Sequence, residues 1–291
     1  MWTAVASAVT TTDAQRFYFL NMAVDKMQQQ RFEQKYLVTE ETALRIRDFV
    51  RTHLDLDENG LGKLDLSYSV HSLYLDSATL ETYWATVNGN KNRFKLRLRF
   101  YDNDPASPVF FEIKRRINNC TSKQRGGVRQ CFVSLLLAGQ MPEAGHLVSK
   151  EPRQLVALQG FCRLMENLQA TPKLRISYLR EAWVHPENNS VRVTMDRHVG
   201  AWPQMEAQFD PRMENPRRPF GQKVILEAKF TNRFPEWFRE MVRIFGLTQG
   251  TAAKYCEGVA AVGESVFARA PEPAEHSPDG SESDIRTGRL A

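Results

Sequence analysis

Basic and apolar residues alternate along Arg93–Phe100, and this spacing carries the clearest chemical meaning in the chain. Successive side chains of a β-strand point to opposite faces, so Arg93, Lys95, Arg97 and Arg99 would share one face. Like charges at this spacing repel one another unless water or a bound anion compensates them. The stretch therefore predicts a strand that faces an anionic ligand.

Four further predicted strands also place their charged residues on one face. These residues are Arg31, Glu33 and Lys35; Glu112 and Lys114; Arg192 and Asp196; and Glu227 and Lys229. For any single strand, a solvated outer face is the ordinary explanation. Taken together, the strands favour phosphate, because the arginine fork matches its oxygens. The acids that recur among the bases are what a Mg²⁺ or Mn²⁺ site shared with phosphate would need.

Three features outside these strands add bases. The polar stretch Thr121–Gly127, which carries Lys123 and Arg125, is predicted as a glycine-containing loop, either an anion-binding loop or a flexible hairpin end. Arg180 shares strand parity with Tyr178. Lys254 begins a predicted helix, where a phosphate could meet the helix N-terminus, although a solvated surface lysine is the commoner case.

Composition limits the class of protein. The 291 residues are 42% hydrophobic and 25% charged with a net charge of +5, which indicates a globular protein with a basic body. Such a body favours phosphate-rich partners. The four cysteines lack CxxC spacing, which favours reduced thiols and a cytoplasmic location. No apolar run approaches the ~20 residues of a membrane helix, so no membrane span is expected.

Hydrophobic periodicity divides the chain into a peripheral leader (1–30), ordered or disordered, one domain (31–267) and a disordered acidic, proline-rich tail (268–291). The predicted strands are Arg31–Val38, Ser67–Leu75, Asn92–Tyr101, Val109–Arg116, Lys173–Val184, Ser190–Arg197 and Lys223–Thr231. The predicted helices are Glu40–His53, Glu151–Leu168, Pro235–Phe245 and Ala252–Val266. Many strands sharing one polar face predict an α+β fold built on an antiparallel β-barrel with flanking helices.

Nine ordered segments make the chain resemble a known family. They are RFEQKYLV, SLYLDSATLETY, RFKLRLRFY, VFFEIKRR, SKQRGG, SYLREAW, VRVTMDR, VILEAKF and AAKY. In this order they resemble the polyphosphate polymerase domain of the vacuolar transporter chaperone (VTC) family, within the triphosphate tunnel, or CYTH-like, superfamily. The resemblance covers about Arg31–Val259. It implies a triphosphate tunnel, an antiparallel β-barrel lined by bases and acids.

The resemblance also implies an activity and a set of site residues. The family transfers the γ-phosphate of ATP onto a growing inorganic polyphosphate chain with Mn²⁺ or Mg²⁺. By motif, the expected catalytic residues are Lys35, Arg97, Arg99, Lys114, Arg180, Arg192 and Lys229. Lys123, Arg125 and Lys254, with Glu33 and Tyr36 of the opening strand, are expected to bind substrate. Glu227, with Glu112, is expected to bind the metal.

The sequence departs from the family pattern in places and leaves alternatives open. Arg31 stands where the superfamily often has the first acid of ExExK, and Ala253 and Thr251 replace a serine and a lysine near Lys254. The loss of the acid argues against hydrolytic branches. The alternatives are a triphosphate hydrolase or cyclase on the same barrel, and a non-catalytic polyphosphate- or nucleotide-binding module. An RNA-binding barrel is disfavoured, and no nucleic-acid partner is expected, because the basic faces lack exposed aromatic platforms.

Overall fold

The structure is a computed structural model and describes residues 31–118, 120–187, 190–231 and 234–267. The predicted leader (1–30) and tail (268–291) lie outside the described residues. Among the helices described, none is both long and apolar enough to cross a membrane.

One nine-stranded antiparallel sheet organises the described chain. Its strands are β1 Arg31–Val38, β2 Asp55–Leu56, β3 Ser67–Asp76, β4 Asn92–Phe100, β5 Pro108–Ile117, β6 Cys120–Arg129, β7 Thr171–Val184, β8 Val191–Pro203 and β9 Val224–Thr231. The helices are α1 Glu40–Val50, α2 Glu81–Val87, α3 Val133–Leu137, α4 Pro152–Leu168, α5 Glu236–Ile244 and α6 Lys254–Val262. Thr39 caps α1 by accepting a hydrogen bond from the Thr42 amide.

The strands follow one another in the order β1-β9-β8-β7-β3-β4-β5-β6, and β2 pairs with β7. Within the described ranges no ladder joins β1 to β6, so the predicted closed barrel is not established. The two ends of the sheet nevertheless come close, because Glu33 Oε2 of β1 lies 3.6 Å from Lys114 Nζ of β5. The sheet is therefore strongly curved, with one face turned inward.

The two faces of the sheet differ in chemistry. The outer face is apolar: α4 packs on β4–β6 through Phe161 and Leu158, and α1 and α5 pack near β8 and β9 through Ile46 and Phe238. We call the opposite face, which carries Lys35, Arg97, Glu112, Arg180 and Glu227, the inner face. Burial of the apolar residues on one side thus fixes the charged residues on the other.

Helix α6 covers part of the inner face. Tyr255 stacks on Tyr74 of β3, with ring centroids 4.8 Å apart, and its hydroxyl donates to Asp76 Oδ2 over 2.8 Å. Gly258 lies against β7, where an added Cβ would come within 2.7 Å of Ile176 Cδ1. The part of the inner face beyond α6 holds the charged side chains.

Some predicted elements differ from those observed. The predicted loop Thr121–Gly127 is wrong, because these residues pair with β5 as part of β6, and Gly126 packs against the Gln154 backbone. The predicted helix Ala252–Val266 is interrupted at Gly263, whose φ of 105° breaks the helix after α6. Helices α2 and α3 were not predicted. Both are short. The start of α2 is capped by Asp76, which lies at the end of β3 and accepts a hydrogen bond from the Thr82 amide.

Candidate functional site

Glu112 of β5 gathers three cations on the inner face. Arg97 of β4 donates from Nε to Oε2 over 2.8 Å, and its Nη2 lies 2.7 Å from the same oxygen. Lys123 Nζ of β6 lies 2.6 Å from Oε1, and Arg99 Nε lies 3.7 Å from Oε2. Burial alone would raise the pKa of Glu112, but these three cations hold it well below its usual value. Glu112 is therefore an anion at any physiological pH.

Arg99 is a buried arginine with spare hydrogen-bonding capacity. Only 7% of the residue is exposed, and among the described residues its Nε has no hydrogen-bond partner. Its closest carboxylate oxygen, at 3.7 Å on Glu112, is beyond hydrogen-bonding distance. Burial of an unsatisfied charged donor is costly, so this position favours an incoming oxyanion.

A second cluster joins β1, β9 and β5. Glu227 Oε1 lies 2.6 Å from Lys229 Nζ, and Glu33 Oε1 lies 2.8 Å from Lys35 Nζ. Burial raises the pKa of Glu227, but Lys229 and Lys35 hold it well below its usual value. Burial also lowers the pKa of Lys114, to about 8, although Glu33 opposes that shift.

A third cluster centres on Asp196 of β8, which is fully buried. Arg180 of β7 donates Nε to Oδ1 over 2.7 Å and Nη2 to Oδ2 over 2.8 Å. Lys254, the first residue of α6, places Nζ 2.7 Å from Oδ2 and 4.9 Å from the centre of the Tyr178 ring. Despite burial, Arg180 and Lys254 lower the pKa of Asp196 to about 2. The side chain of Lys254, which was predicted at a helix start, thus contacts the inner face of the sheet.

The remaining predicted residues divide between the two faces. Arg125 lies over the Phe110 ring, with Cζ 4.8 Å from its centre, and Arg192 bonds to Asp57 over 2.9 Å. The structure places Tyr36, expected to bind substrate, away from the inner face: it is 3% exposed and belongs to the apolar core of the outer face, opposite Lys35. Lys95 contacts Thr86 Oγ1 at 2.5 Å and lies under α6.

The fit of a divalent metal to these clusters is uneven. No group of three or more His, Cys, Asp or Glu side chains placed to hold a metal occurs in the described part of the chain. Both oxygens of Glu112 already face cations, which does not suit a metal ligand. Glu227 and Glu33 lie near one another on paired strands. They fit a hard cation only if phosphate oxygens complete its shell.

Sequence reasoning missed two inner-face residues. The Tyr74 hydroxyl accepts a hydrogen bond from Arg97 Nη1 over 3.1 Å. Burial raises the pKa of Tyr74, but this hydrogen bond and the charges of Arg97, Arg99 and Lys95 together lower it. Asp76, fully buried, accepts from the amides of Thr82 and Tyr83 and so caps α2. Tyr74 could have been predicted, because it has the same strand parity as Tyr68 and Ser72 on β3. The contact of Asp76 with Tyr255 of α6 could not, because it joins residues far apart in the sequence.

Aromatic side chains also occur on the inner face. Tyr68, Tyr101 and Phe110 form a continuous row, which we call the aromatic strip. The ring centroids of Tyr68 and Tyr101 lie 6.3 Å apart, and those of Tyr101 and Phe110 lie 6.1 Å apart. All three residues are half-buried.

The fold and these clusters define a protein with a basic site on the inner face of a large antiparallel sheet. The chain belongs to the VTC domain family, whose family model, described as "VTC domain", matches residues 30–263. The family expected from the nine sequence segments is thereby confirmed.

Two curated proteins of Schizosaccharomyces pombe are similar to this chain. Vacuolar transporter chaperone complex subunit 4 is 24% identical over 210 residues, covering 60% of this chain and 29% of that protein. Subunit 2 of the complex is 22% identical over 180 residues, covering 56% and 24%. The chain thus spans less than a third of either relative. A solved structure, the PH1819 protein of Pyrococcus horikoshii OT3, matches 79% of this chain and 98% of its own at 12% identity, with a TM-score of 0.40.

Proposed function

We propose that this chain is an ATP-dependent polyphosphate polymerase that transfers the γ-phosphate of ATP to a growing inorganic polyphosphate chain. The observation that carries the proposal is the surplus of cations on the inner face. The cations are Lys35, Arg97, Arg99, Lys114, Lys123, Arg180, Arg192, Lys229 and Lys254, and the carboxylates among them are Glu33, Glu112, Asp196 and Glu227. Membership of the VTC domain family supports the same conclusion.

The reaction brings two anions together. An oxygen of the terminal phosphate of the acceptor chain attacks the γ-phosphorus, a new P–O bond forms, and the bond to the β–γ bridging oxygen breaks. ADP leaves with that electron pair. Arg97 and Arg99 would hold phosphate oxygens and offset the repulsion between the two chains, and fixed cations need no reorganisation during transfer.

The three carboxylate clusters prepare the cations for this role. Glu112 contacts two nitrogens of the Arg97 guanidinium, so the position of the Arg97 side chain is set before substrate arrives. Asp196 does the same for Arg180 and Lys254. In this proposal the curved sheet forms a tunnel around the polyphosphate, with β1 facing β5 across it. Positions two residues apart on β4 or β5 are ~6.6 Å apart, so one strand offers contacts to more than one phosphate of the chain.

Mg²⁺ or Mn²⁺ completes the proposed site. Bound there, such an ion would supply electrostatic stabilisation of the negative charge on the reacting phosphates. Glu227 and Glu33 would hold it, and Lys229 and Lys35, which now contact these carboxylates, would turn to phosphate.

The test is product analysis of the purified chain with ATP and Mn²⁺. A phosphate polymer, with one ADP released for each phosphate incorporated, is the expected result. Arg99→Gln should lower polymer formation about 100-fold, the scale seen when one preorganised donor to a transition-state anion is removed. Arg163→Gln, on the exposed face of α4, is the matched control and should leave activity unchanged.

The alternatives give different products. Free phosphate, or cyclic AMP with pyrophosphate, would assign the site to a hydrolase or a cyclase. Tight ATP binding without any product would identify the chain as a non-catalytic binding module. Either result in the folded wild-type chain would overturn the proposal.

A further inference from the structure

The aromatic strip lies at one end of the charged part of the inner face. Phe110 is the cross-strand partner of Arg99, and Tyr101 directly follows Phe100 at the end of β4. The Tyr68 hydroxyl lies 3.5 Å from Arg192 Nη2. The aromatic strip therefore borders the basic side chains that are proposed to bind phosphate.

Packing does not account for the position of Phe110. It is half-buried, and it belongs to none of the three apolar clusters among the described residues, whereas its neighbours Phe111 and Val109 are fully buried in one of them. Its ring instead lies over Gly127 of β6, where any Cβ would come within 3.2 Å of it. A glycine thus makes room for an aromatic ring on the polar face.

Arg125 adds a planar cation to this group. Its Cζ lies 4.8 Å from the centre of the Phe110 ring, and its side chain makes no ion pair with any described carboxylate. Arg125 is exposed, whereas Arg97 is held by Glu112 and Arg99 is buried. A guanidinium stacked on an aromatic ring, with no carboxylate partner, is free to stack on a second planar group.

We propose that Phe110, Tyr101 and Arg125 form a stacking site for the base of a nucleoside triphosphate, whose phosphates extend along β4 and β5 toward Arg99 and Arg97. Every nucleobase offers a π-face, and base–aromatic stacking tolerates different bases. The site therefore selects nucleotides over inorganic phosphate chains without strong preference between adenine and guanine. This inference rests on the proposed function, because it assumes that the neighbouring cations bind phosphates.

The experiment compares binding of ATP, GTP and inorganic tripolyphosphate to the full chain by titration calorimetry. Wild-type protein should bind ATP and GTP alike. Phe110→Leu keeps an apolar side chain but removes the π-face, and Tyr101→Ala removes the second ring. Each should weaken ATP binding on the order of 5- to 30-fold, the effect of losing one stacked base. Tripolyphosphate binding should change less than about 2-fold.

Trp84→Ala is the matched control, since Trp84 is an exposed aromatic residue on α2, away from the strip, and its loss should change neither affinity. Thermal unfolding of each variant, followed by circular dichroism, shows whether it is folded. The inference is wrong if Phe110→Leu, shown to be folded, weakens ATP and tripolyphosphate equally, or weakens neither.

Two further outcomes separate this inference from the proposed function. If the chain synthesises polyphosphate but folded Phe110→Leu binds ATP normally, the stacking site fails and the polymerase proposal stands. If wild-type protein binds neither ATP nor tripolyphosphate, both fail. Tighter binding of a single-stranded oligonucleotide than of ATP, lost in Tyr101→Ala, would reassign the strip to nucleic acid and overturn the nucleotide site.

Discussion

Glu112 brings cations from two neighbouring strands to one point on the inner face. Its oxygens contact Arg97 and Lys123 within 2.8 Å, and the residue is 1% exposed. A carboxylate in this position partly neutralises the cations in the free protein and sets their geometry. Because only one negative charge faces three positive ones, the cluster as a whole remains positive and attracts anions.

Glu112→Gln should therefore destabilise the free protein. Loss of one partner leaves buried charges uncompensated, and we expect the free energy of unfolding to fall by about 3 kcal/mol. Urea unfolding measures this change. Asp48→Asn, which breaks an exposed pair with Arg51, is the control and should stay within about 0.5 kcal/mol of wild type. Added tripolyphosphate should restore much of the loss in Glu112→Gln. A variant as stable as wild type without ligand would contradict this account.

Two lysines of the site titrate near neutral pH. Burial lowers the pKa of Lys123 to about 7, in spite of Glu112, and burial lowers that of Lys114 to about 8. Between these values and the ordinary lysine pKa, the unfolded chain binds more protons than the folded one. Their contribution to stability therefore rises with pH over this window, while the charge available to an anion falls.

The affinity for tripolyphosphate should accordingly decline as pH rises from about 6.5 to 8.5. The ligand itself also titrates, so Lys123→Arg is the informative comparison, because arginine keeps its charge throughout this range. The variant should show a smaller loss of affinity than wild type over the same pH range. Calorimetry at several pH values measures both. Parallel pH profiles for the two proteins would show that Lys123 does not titrate in this range.

At the scale of elements, strand parity was the most reliable guide. The alternation in Arg93–Phe100 and Val224–Lys229 correctly separated apolar from charged faces, since a slip of one residue would bury the charges. Parity also explains the position of Tyr36, which alternates with Lys35 and therefore faces the apolar core. Strand β6 was missed because Thr121–Gly127 contains no apolar side chain, and its extended shape comes from pairing with β5. Local sequence does not encode that tertiary effect.

Helix α6 depends on close contact with the sheet at Gly258. An added Cβ there would lie 2.7 Å from Ile176 Cδ1 and 2.8 Å from Leu174 Cδ2. Both are fully buried in the core. The same helix holds Lys254 on Asp196 and Tyr255 on Asp76, so its position fixes part of the charged site.

Gly258→Ala should destabilise the protein by about 1–3 kcal/mol, since the overpacked helix must move from the sheet. Gly160→Ala in α4 is a matched control, because its added Cβ would meet only Ile113 Cδ1 at an ordinary 3.7 Å. That change should stabilise by about 0.5–1 kcal/mol, as alanine replaces glycine within a helix. Urea unfolding of both variants tests the contrast. Equal effects of the two substitutions would show that α6 does not pack as described.

At the scale of the whole molecule, charge is distributed unevenly. The outer face of the sheet is covered by apolar helix contacts, and the inner face concentrates arginine and lysine around a few carboxylates. The strand order leaves β1 and β6 unpaired with one another, and the Glu33–Lys114 contact spans the sheet from β1 to β5. Repulsion between cations opposes this curvature, so an anion inside it should stabilise the folded state as a whole.

Tripolyphosphate at 100 times its dissociation constant should therefore add about 2.7 kcal/mol to the free energy of unfolding. For a domain of this size, that corresponds to a rise in Tm of about 5–10 °C. Calorimetric melting with tripolyphosphate, compared with potassium chloride at equal ionic strength, measures the effect. Salt alone screens exposed charges but leaves buried pairs such as Arg180–Asp196 largely unaffected, so its effect should be much smaller. An equal rise in Tm with both would mean that the inner face is stabilised by general screening and holds no specific polyanion site.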